Sequence, residues 1–345
     1  MKRVITVVAT AATLASLPAP AFAGAPELRT VSLPFLWSRS ELFEVTPDGA
    51  GGVWAGGMQG KYCVRWGDLC PVYSDGNPVV RRRVGSSWQE YPINGWTGQG
   101  EIARIASSGG ETWIAGGPSA STSSSRYVAR FDGSAFQNVT VPTSSINMLA
   151  TGPAGTFISY WDMDARVLKR TGDAWTAVEV PGFGNINDLQ GLTATDVWAV
   201  GDREQPQVGS VPAAAHFDGV AWKSVPLPAA SGNDRFLKVV PVAANNVWAI
   251  TEKYLMHWNG SAWSPIAPPA GYADFADLTV DSSDIPWVAP EESASPLKAP
   301  YRYSGGKWEA VTVPTGIEVH DLATVSGVIW GVGRQGDGAA AVNGS

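Results

Sequence analysis

A short apolar segment with an aromatic ring near its centre recurs along the chain. It reads GVWAGG at Trp54, TWIAGG at Trp113, TFISY at Phe157, VWAVGD at Trp198, VWAIT at Trp248, PWVAP at Trp287 and IWGVG at Trp330. Apolar positions fall on both faces of these segments, the pattern of a strand buried between two layers. A second phrase follows each of the first six copies: RRRVGSSWQEYPI at Trp88, RFDGSAFQNVTVP at Phe136, KRTGDAWTAVEVP at Trp175, HFDGVAWKSVPLP at Trp222, HWNGSAWSPIAPP at Trp263 and RYSGGKWEAVTVP at Trp308. Asp-Gly, Asn-Gly and Gly-Asp between apolar runs predict hairpin turns, because these residues tolerate positive φ. A third phrase precedes the ring segment, as in INMLATG, INDLQGL, FADLTVD and VHDLATV. Each unit therefore predicts an inner strand a, a ring strand b, a strand c carrying Arg or His, and an outer strand d ending in Pro.

A four-stranded antiparallel unit repeated every ~40–50 residues is a β-propeller blade. The expected fold is all-β: a seven-bladed β-propeller of four-stranded antiparallel blades, spanning 24–345. The blades fall near 35–92, 93–142, 143–181, 182–228, 229–268, 269–314 and 315–345. The seventh copy ends at GAAAVNGS without an outer strand. LRTVSLP, Leu28 to Pro34, aligns with WKSVPLP, Trp222 to Pro228, placing Leu28 at the ring position. The segment 24–34 is thus expected to supply the outer strand of the last blade and to leave no open seam.

Composition agrees. In 345 residues there are 39 Gly and 25 Pro, and only 16% of positions are charged. That argues against long amphipathic helices, which need Lys, Glu, Ala and Leu on their faces. Sixteen tryptophans supply too much apolar ring area for a disordered chain.

The opening MKRVITVVATAATLASLPAPAFAGAPE has a positive start at Lys2 and Arg3, an uncharged apolar stretch from Val4 to Leu17, and Ala21-Phe22-Ala23 as a cleavage site. Residues 1–23 are expected to be a secretory signal peptide, and the protein to be secreted. No later apolar run is long enough to span a membrane. The formal charge of −7 lacks the basic footprint that nucleic acid requires. Cys63 and Cys70 are the two cysteines; outside the cytosol such a close pair is expected to form a disulfide.

The DVWAVG and FDGxxW phrases resemble the repeats of secreted bacterial β-propeller proteins and, more loosely, kelch and galactose-oxidase-like propellers. The likeness covers nearly the whole chain beyond the signal peptide and implies the fold, not an activity. A copper oxidase of the galactose-oxidase kind would need two histidines, tyrosines and a cysteine linked to tyrosine. Here His216 and His257 share one strand c position in successive blades, which points to a structural role, and only His320 remains. Sialidase-like propellers carry S-x-D-x-G-x-T-W boxes; FDGSAF and FDGVAW are similar only on the surface, and Asp132 and Asp218 are explained as turn formers. The signature phrases of quinoprotein dehydrogenases are absent. So are a Gly-rich phosphate loop, H-E-x-x-H and G-x-S-x-G.

In a propeller the b–c and d–a loops share one face. Candidate ligand-binding residues expected there are Trp66, Trp96, Tyr160, Trp161, Asp162, Asp164, Asp188, Arg203, Arg235, Tyr272 and His320, with Trp37 and Tyr62 in the same loops; Trp66, Trp96 and Trp161 fall outside the two repeated ring positions. Exposed rings beside carboxylates and arginines suit a sugar or a protein surface. The D-x-D spacing of Asp162 and Asp164 has the oxygen chemistry of a Ca²⁺ site, but a solvated loop is the favoured reading. Asp188, Asp277 and Asp321 each stand just before a Leu in strand a, which favours a repeated structural hydrogen bond. The sequence therefore predicts a non-enzymatic binding module, recognising an extracellular glycan or protein through its loop-bearing face. It is expected to act as a monomer, with no catalytic residue, metal, cofactor, nucleic acid or membrane span. The alternatives are a glycan-active hydrolase or lyase, using channel carboxylates such as Asp188 and Glu318, and a protein-assembly scaffold of the cell envelope; His320, near the channel, has the chemistry of a general acid–base.

Overall fold

The rings of strand b decide the architecture, because each can be buried only by a neighbouring sheet. A computed structural model describes residues 25–344, apart from 66–71, 118–126, 144, 163, 229–232, 273 and 292–298. Seven antiparallel sheets of the expected strand order stand in a ring, and no helix occurs among the described residues. The first blade is built from Glu41–Pro47, Val53–Gln59, Asn77–Val84 and Ser87–Glu90. The second gains a short strand, Ile93–Asn94, running parallel to its outer strand. Strands a of the seven blades are Glu41–Pro47, Glu101–Ser108, Met148–Gly152, Asn185–Thr193, Phe236–Ala243, Phe275–Val280 and Ile317–Val325.

Ring closure follows the sequence expectation. Leu28–Thr30 pairs antiparallel with the last strand, Gly338–Gly344, in the register Leu28 to Gly344 and Thr30 to Val342. Trp222 meets Phe217 at the corresponding place in the fourth blade, so Leu28 does occupy a ring position. Leu28 is fully buried beside Trp287 and Val311 of the sixth blade. The segment is held on its other side too: Leu28 N–H donates to Thr312 O at 2.8 Å, and Thr312 N–H to Pro26 O at 2.8 Å.

One apolar cluster fills each interface between neighbouring blades. Trp54 packs on Ile105 and Phe136 of the second blade, Trp198 on Phe236 of the fifth, and Trp330 on Leu42 and Val45 of the first. Burying one such ring removes ~150–250 Å² from water, about 4–6 kcal/mol before ordering costs. The cation of strand c lies opposite the ring. Arg82 sits 5.5 Å from the Trp54 ring, Lys169 5.4 Å from Phe157 and Arg302 5.8 Å from Trp287. His257 stacks on Trp248 at 4.2 Å and donates its Nε2–H to Asn246 Oδ1 at 3.0 Å; His216 lies 4.7 Å from Trp198 and 2.8 Å from Asp196. The two histidines therefore belong to the repeat rather than to a site.

The c–d turns are built as Asx turns. Asp132 Oδ1 accepts the N–H groups of Ser134 and Ala135 at 2.8 and 2.9 Å, and Asp218 Oδ1 those of Val220 and Ala221 at 3.0 Å. These carboxylates are turn formers, as the Asx-Gly phrases imply.

Strand a holds the feature that shapes the channel. A register shift interrupts its pairing with strand b in six blades, for example between Leu42 and Glu44, Ile186 and Asp188, and Val319 and Asp321. Such a bulge bends the strand and re-aims the following side chain. Strand b must then pass very close: a Cβ on Gly333 would lie 1.9 Å from Glu318 O. The glycines of the VWAVGD and IWGVG phrases meet this close approach.

Candidate functional site

The bulges aim Glu44, Arg104, Asp188, Lys238, Asp277 and Asp321 into one central cavity of about 280 Å³, with Met148 in the third blade. Three of the carboxylates bind backbone across blade boundaries. Asp188 Oδ2 accepts Val239 N–H at 2.9 Å, Asp277 Oδ2 accepts Leu322 N–H at 2.6 Å, and Asp321 Oδ2 accepts Val45 N–H at 2.7 Å. The repeated structural hydrogen bond expected of these three residues is thus present.

Charge in the cavity is partly balanced. Lys238 Nζ reaches both Asp277 and, at 3.2 Å, Asp321; Arg104 pairs with Glu44 at 2.8 Å. Burial, reinforced by the Asp321 charge, raises the Glu44 carboxyl to about 7 against the opposing pull of Arg104 and Lys238. Burial likewise raises Asp188, and burial with the Asp321 charge raises Asp277 well above the usual range. Burial alone would lower Lys238, but Asp277, Asp321 and Glu44 outweigh it and hold its ammonium charged. The channel is a self-satisfied ionic network whose carboxylates serve the ring, and Asp188, expected as a ligand group, is committed there to backbone amides.

The other expected residues are dispersed over several blades. Trp161 is 58% exposed at the end of its strand b, beside the exposed Asp162. Asp162 pairs through its backbone with Asp164 in a tight hairpin. Tyr160 is half-buried against the cluster of Trp113. Trp96 is a packing ring: it meets Tyr127 edge-on at 5.0 Å, and its Nε1–H donates to Gly98 O at 2.9 Å. Tyr272 is buried rather than displayed, against Phe275 and Tyr301. Arg203 is exposed beside a hollow of about 440 Å³, and Arg235 pairs with Glu252 at 2.9 Å. Trp66 and Cys70 lie outside the described residues, as does Met163 between the two aspartates.

One sector of the loop-bearing face does gather chemistry, where the seventh blade meets the first. His320 is the bulge residue of its strand a. Its Nδ1 lies 3.2 Å from Glu41 Oε1 and its Nε2 3.8 Å from Glu318 Oε2. Arg334 Nε donates to Glu318 at 2.7 Å. A hollow of about 240 Å³ opens above Glu41, lined by Arg39, Ser40, Lys61, Tyr73, Arg334 and Asp337 among others. Because the two imidazole nitrogens face different carboxylates, no single ion can take all three groups as ligands. No metal-holding group of three or more His, Cys, Asp or Glu occurs among the described residues.

Tyr73, which lines this hollow, is 45% accessible, and further exposed apolar side chains stand near it in the chain or on the same hairpin: Phe35 at 82%, Trp37 at 53%, Tyr62 at 54% and Val64 at 49%. They come from two stretches of chain that the fold joins. Phe35 and Trp37 lie on the connection from the N-terminal strand, whose Leu33 and Leu36 turn inward. Tyr62 and Tyr73 lie on a small hairpin, Cys63–Arg65 with Val72–Tyr73, raised from the first blade's b–c loop. The Trp37 ring lies against Gly60, where a Cβ would come within 2.7 Å of it. Trp37 N–H donates to Gln59 Oε1 at 3.1 Å, and Lys61 N–H to Arg39 O at 3.4 Å. Arg39 stacks over Tyr73 at 4.8 Å. Phe35, Arg39, Glu41, Lys61 and Tyr73 escape a sequence reading because their proximity depends on ring closure; the signal available was the density of loop aromatics flanking the first blade.

No family model and no curated protein matches the sequence. Solved structures match its fold. A catalytically inactive variant of virginiamycin B lyase from Staphylococcus aureus, with quinupristin, superposes with a TM-score of 0.63 at 14% identity, covering 92% of this chain and 99% of that one. The WD40 β-propeller domain of Doa1 gives 0.62 at 9% identity, with 93% and 97% covered. YCF48 bound to the D1 peptide gives 0.58 at 12% identity, with 94% and 99% covered. At such identities the likeness shows a β-propeller and nothing finer.

Proposed function

We propose that this chain is an exported, non-enzymatic recognition module that binds its ligand on the loop-bearing face, in the sector where the seventh blade meets the first. The observation that carries this is the concentration of exposed rings: Tyr73 lines one polar hollow, and Phe35, Trp37 and Tyr62 are exposed on the same two stretches of chain, while Trp161 stands apart. Exposed apolar patches of this kind mark interaction sites. Of the two ligand classes, glycan and protein, the geometry favours protein. Phe35 and Val64 have no polar edge to serve hydroxyl groups, and the fold neighbour YCF48 is seen with a peptide bound. Export rests on the leader-like residues 1–23, and the proposed Cys63–Cys70 disulfide would close a short loop of chain within the aromatic hairpin's sequence.

The test is to screen the immobilised full chain against a glycan array and a displayed random-peptide library. Binders should be lost with Trp37→Ala and kept with Val220→Asp on the opposite face. Binding lost instead with Trp161→Ala would move the site to the third blade. An absence of binders of either class would remove the reading.

A second reading is favoured by His320, which lines the central cavity and is bracketed by Glu41 and Glu318. An imidazole oriented by a carboxylate can shuttle a proton, as a glycan-active lyase or hydrolase requires. It would show itself as a change of mass in a bound glycan, abolished by His320→Ala.

A further inference from the structure

We propose that Phe35, Trp37, Arg39, Lys61, Tyr62 and Tyr73 form a docking surface for an extended, acidic segment of a partner polypeptide, whose carboxylates meet Arg39 and Lys61 and whose apolar side chains cover the rings. This rests on the recognition reading above and names its partner class.

Charge comes first. The chain carries a formal −7, yet this hollow is lined by three cations, Arg39, Lys61 and Arg334, against two carboxylates, Glu41 and Asp337. Lys61 forms no ion pair among the described residues, and the nearest carboxylate to Arg39 is the exposed Asp337, 3.9 Å away. Elsewhere the strand c arginines are paired more tightly, as with Arg82 and Asp48 at 2.8 Å or Arg130 and Glu111 at 2.7 Å. A cation that the fold leaves underused is available to an incoming carboxylate.

Backbone conformation is the second observation. Arg39 has φ of 56°, in the left-handed region. For a residue with a Cβ this costs on the order of 1–3 kcal/mol and persists where the surroundings enforce it. The Lys61 amide on Arg39 O and the Tyr73 ring beneath the guanidinium do so here. The guanidinium is therefore aimed before any ligand arrives, which cuts the ordering cost of binding.

Shape supplies the third. The hairpin Cys63–Arg65 with Val72–Tyr73 is a two-stranded sheet, and no further strand pairs with either edge among the described residues. An extended segment can add to such an edge through its own backbone. Side chains of that segment then alternate. Acidic residues face the hollow while apolar ones lie on Trp37 and Tyr62. A sugar could use the tryptophan and tyrosine faces, but it offers no partner for Phe35 or for an open strand edge.

The experiment measures binding of the full chain, by fluorescence anisotropy, to three labelled probes: a peptide alternating Glu with Leu and Phe, its Lys-for-Glu counterpart, and polygalacturonate. The acidic peptide should bind, weaken as salt rises, and lose about tenfold or more with Lys61→Glu or Trp37→Ala. The melting temperature of both variants should match that of the wild type. Equal binding of the lysine peptide, or indifference to Lys61→Glu, overturns the proposal. Polygalacturonate binding without peptide binding also overturns it, but leaves recognition by this face standing. Failure of all three probes overturns it, and the library screen then decides whether the face binds anything.

Discussion

The carboxylate of Asp321 accepts the backbone N–H of Val45 at 2.7 Å, joining strand a of the last blade to strand a of the first across the closure of the ring. Asp277 does the same for Leu322 one boundary earlier, and Asp188 for Val239. Residues that look like a catalytic carboxylate set from their place in the channel are thus seam fasteners. Their other oxygens meet Lys238 in two of the three cases.

Removing one fastener leaves a buried amide unpaired. Asp321→Ala should destabilise the fold by about 1–3 kcal/mol, and Asp321→Asn, which keeps an acceptor, by less. Urea denaturation of the two variants checks this. Equal losses would mean that the charge on Lys238, rather than the amide, is what Asp321 serves.

The N-terminal strand should matter in the same way. Leu28 is fully buried between the last two blades, so Leu28→Ala should cost about 2–5 kcal/mol. Deleting 24–34 should lower the melting temperature further. An unchanged melting temperature would contradict the observed closure.

The raised Glu44 carboxyl makes stability depend on pH. Its value in the fold is about 7, against 4.5 ordinarily, so the folded chain binds more protons than the unfolded chain between those limits. Stability therefore falls as pH rises through that window. Asp188 and Asp277, raised by burial, act in the same direction. Urea midpoints at the two ends of the window should differ less for Glu44→Gln than for the wild type. An identical difference would assign the effect to the two aspartates.

Export and pairing give a direct chemical test. The mature chain should begin at Gly24, and alkylation under non-reducing conditions should label neither Cys63 nor Cys70. N-terminal sequencing and mass measurement of the exported protein check both.

Much of the scaffold could be read from residue order because propeller blades are repeats of one local unit. Strand b rings, Asx-Gly turns and the match of Leu28 to Trp222 all report local geometry or a repeated environment. The bulge in strand a left no comparable mark. It shifts the register without a turn residue, so nothing in INDLQGL or VHDLATV separates an inward Asp188 or Asp321 from an ordinary alternation. The sector at the closure was harder still. His320 and Glu41 stand at opposite ends of the chain and touch only because the circle is complete. Loop position alone placed Trp96 and Tyr272 on the surface, whereas Tyr127 and Phe275 draw them into packing.

Sharing one sheet between the two termini also sets an order of assembly. Leu28–Thr30 is made long before its partner, Val342–Gly344. The circle cannot be completed by adding blades in turn; the earliest strand is held open until the strand of the seventh blade that it pairs with has been made. A polypeptide built this way can be passed through a narrow pore as an unclosed thread and become round only on the far side.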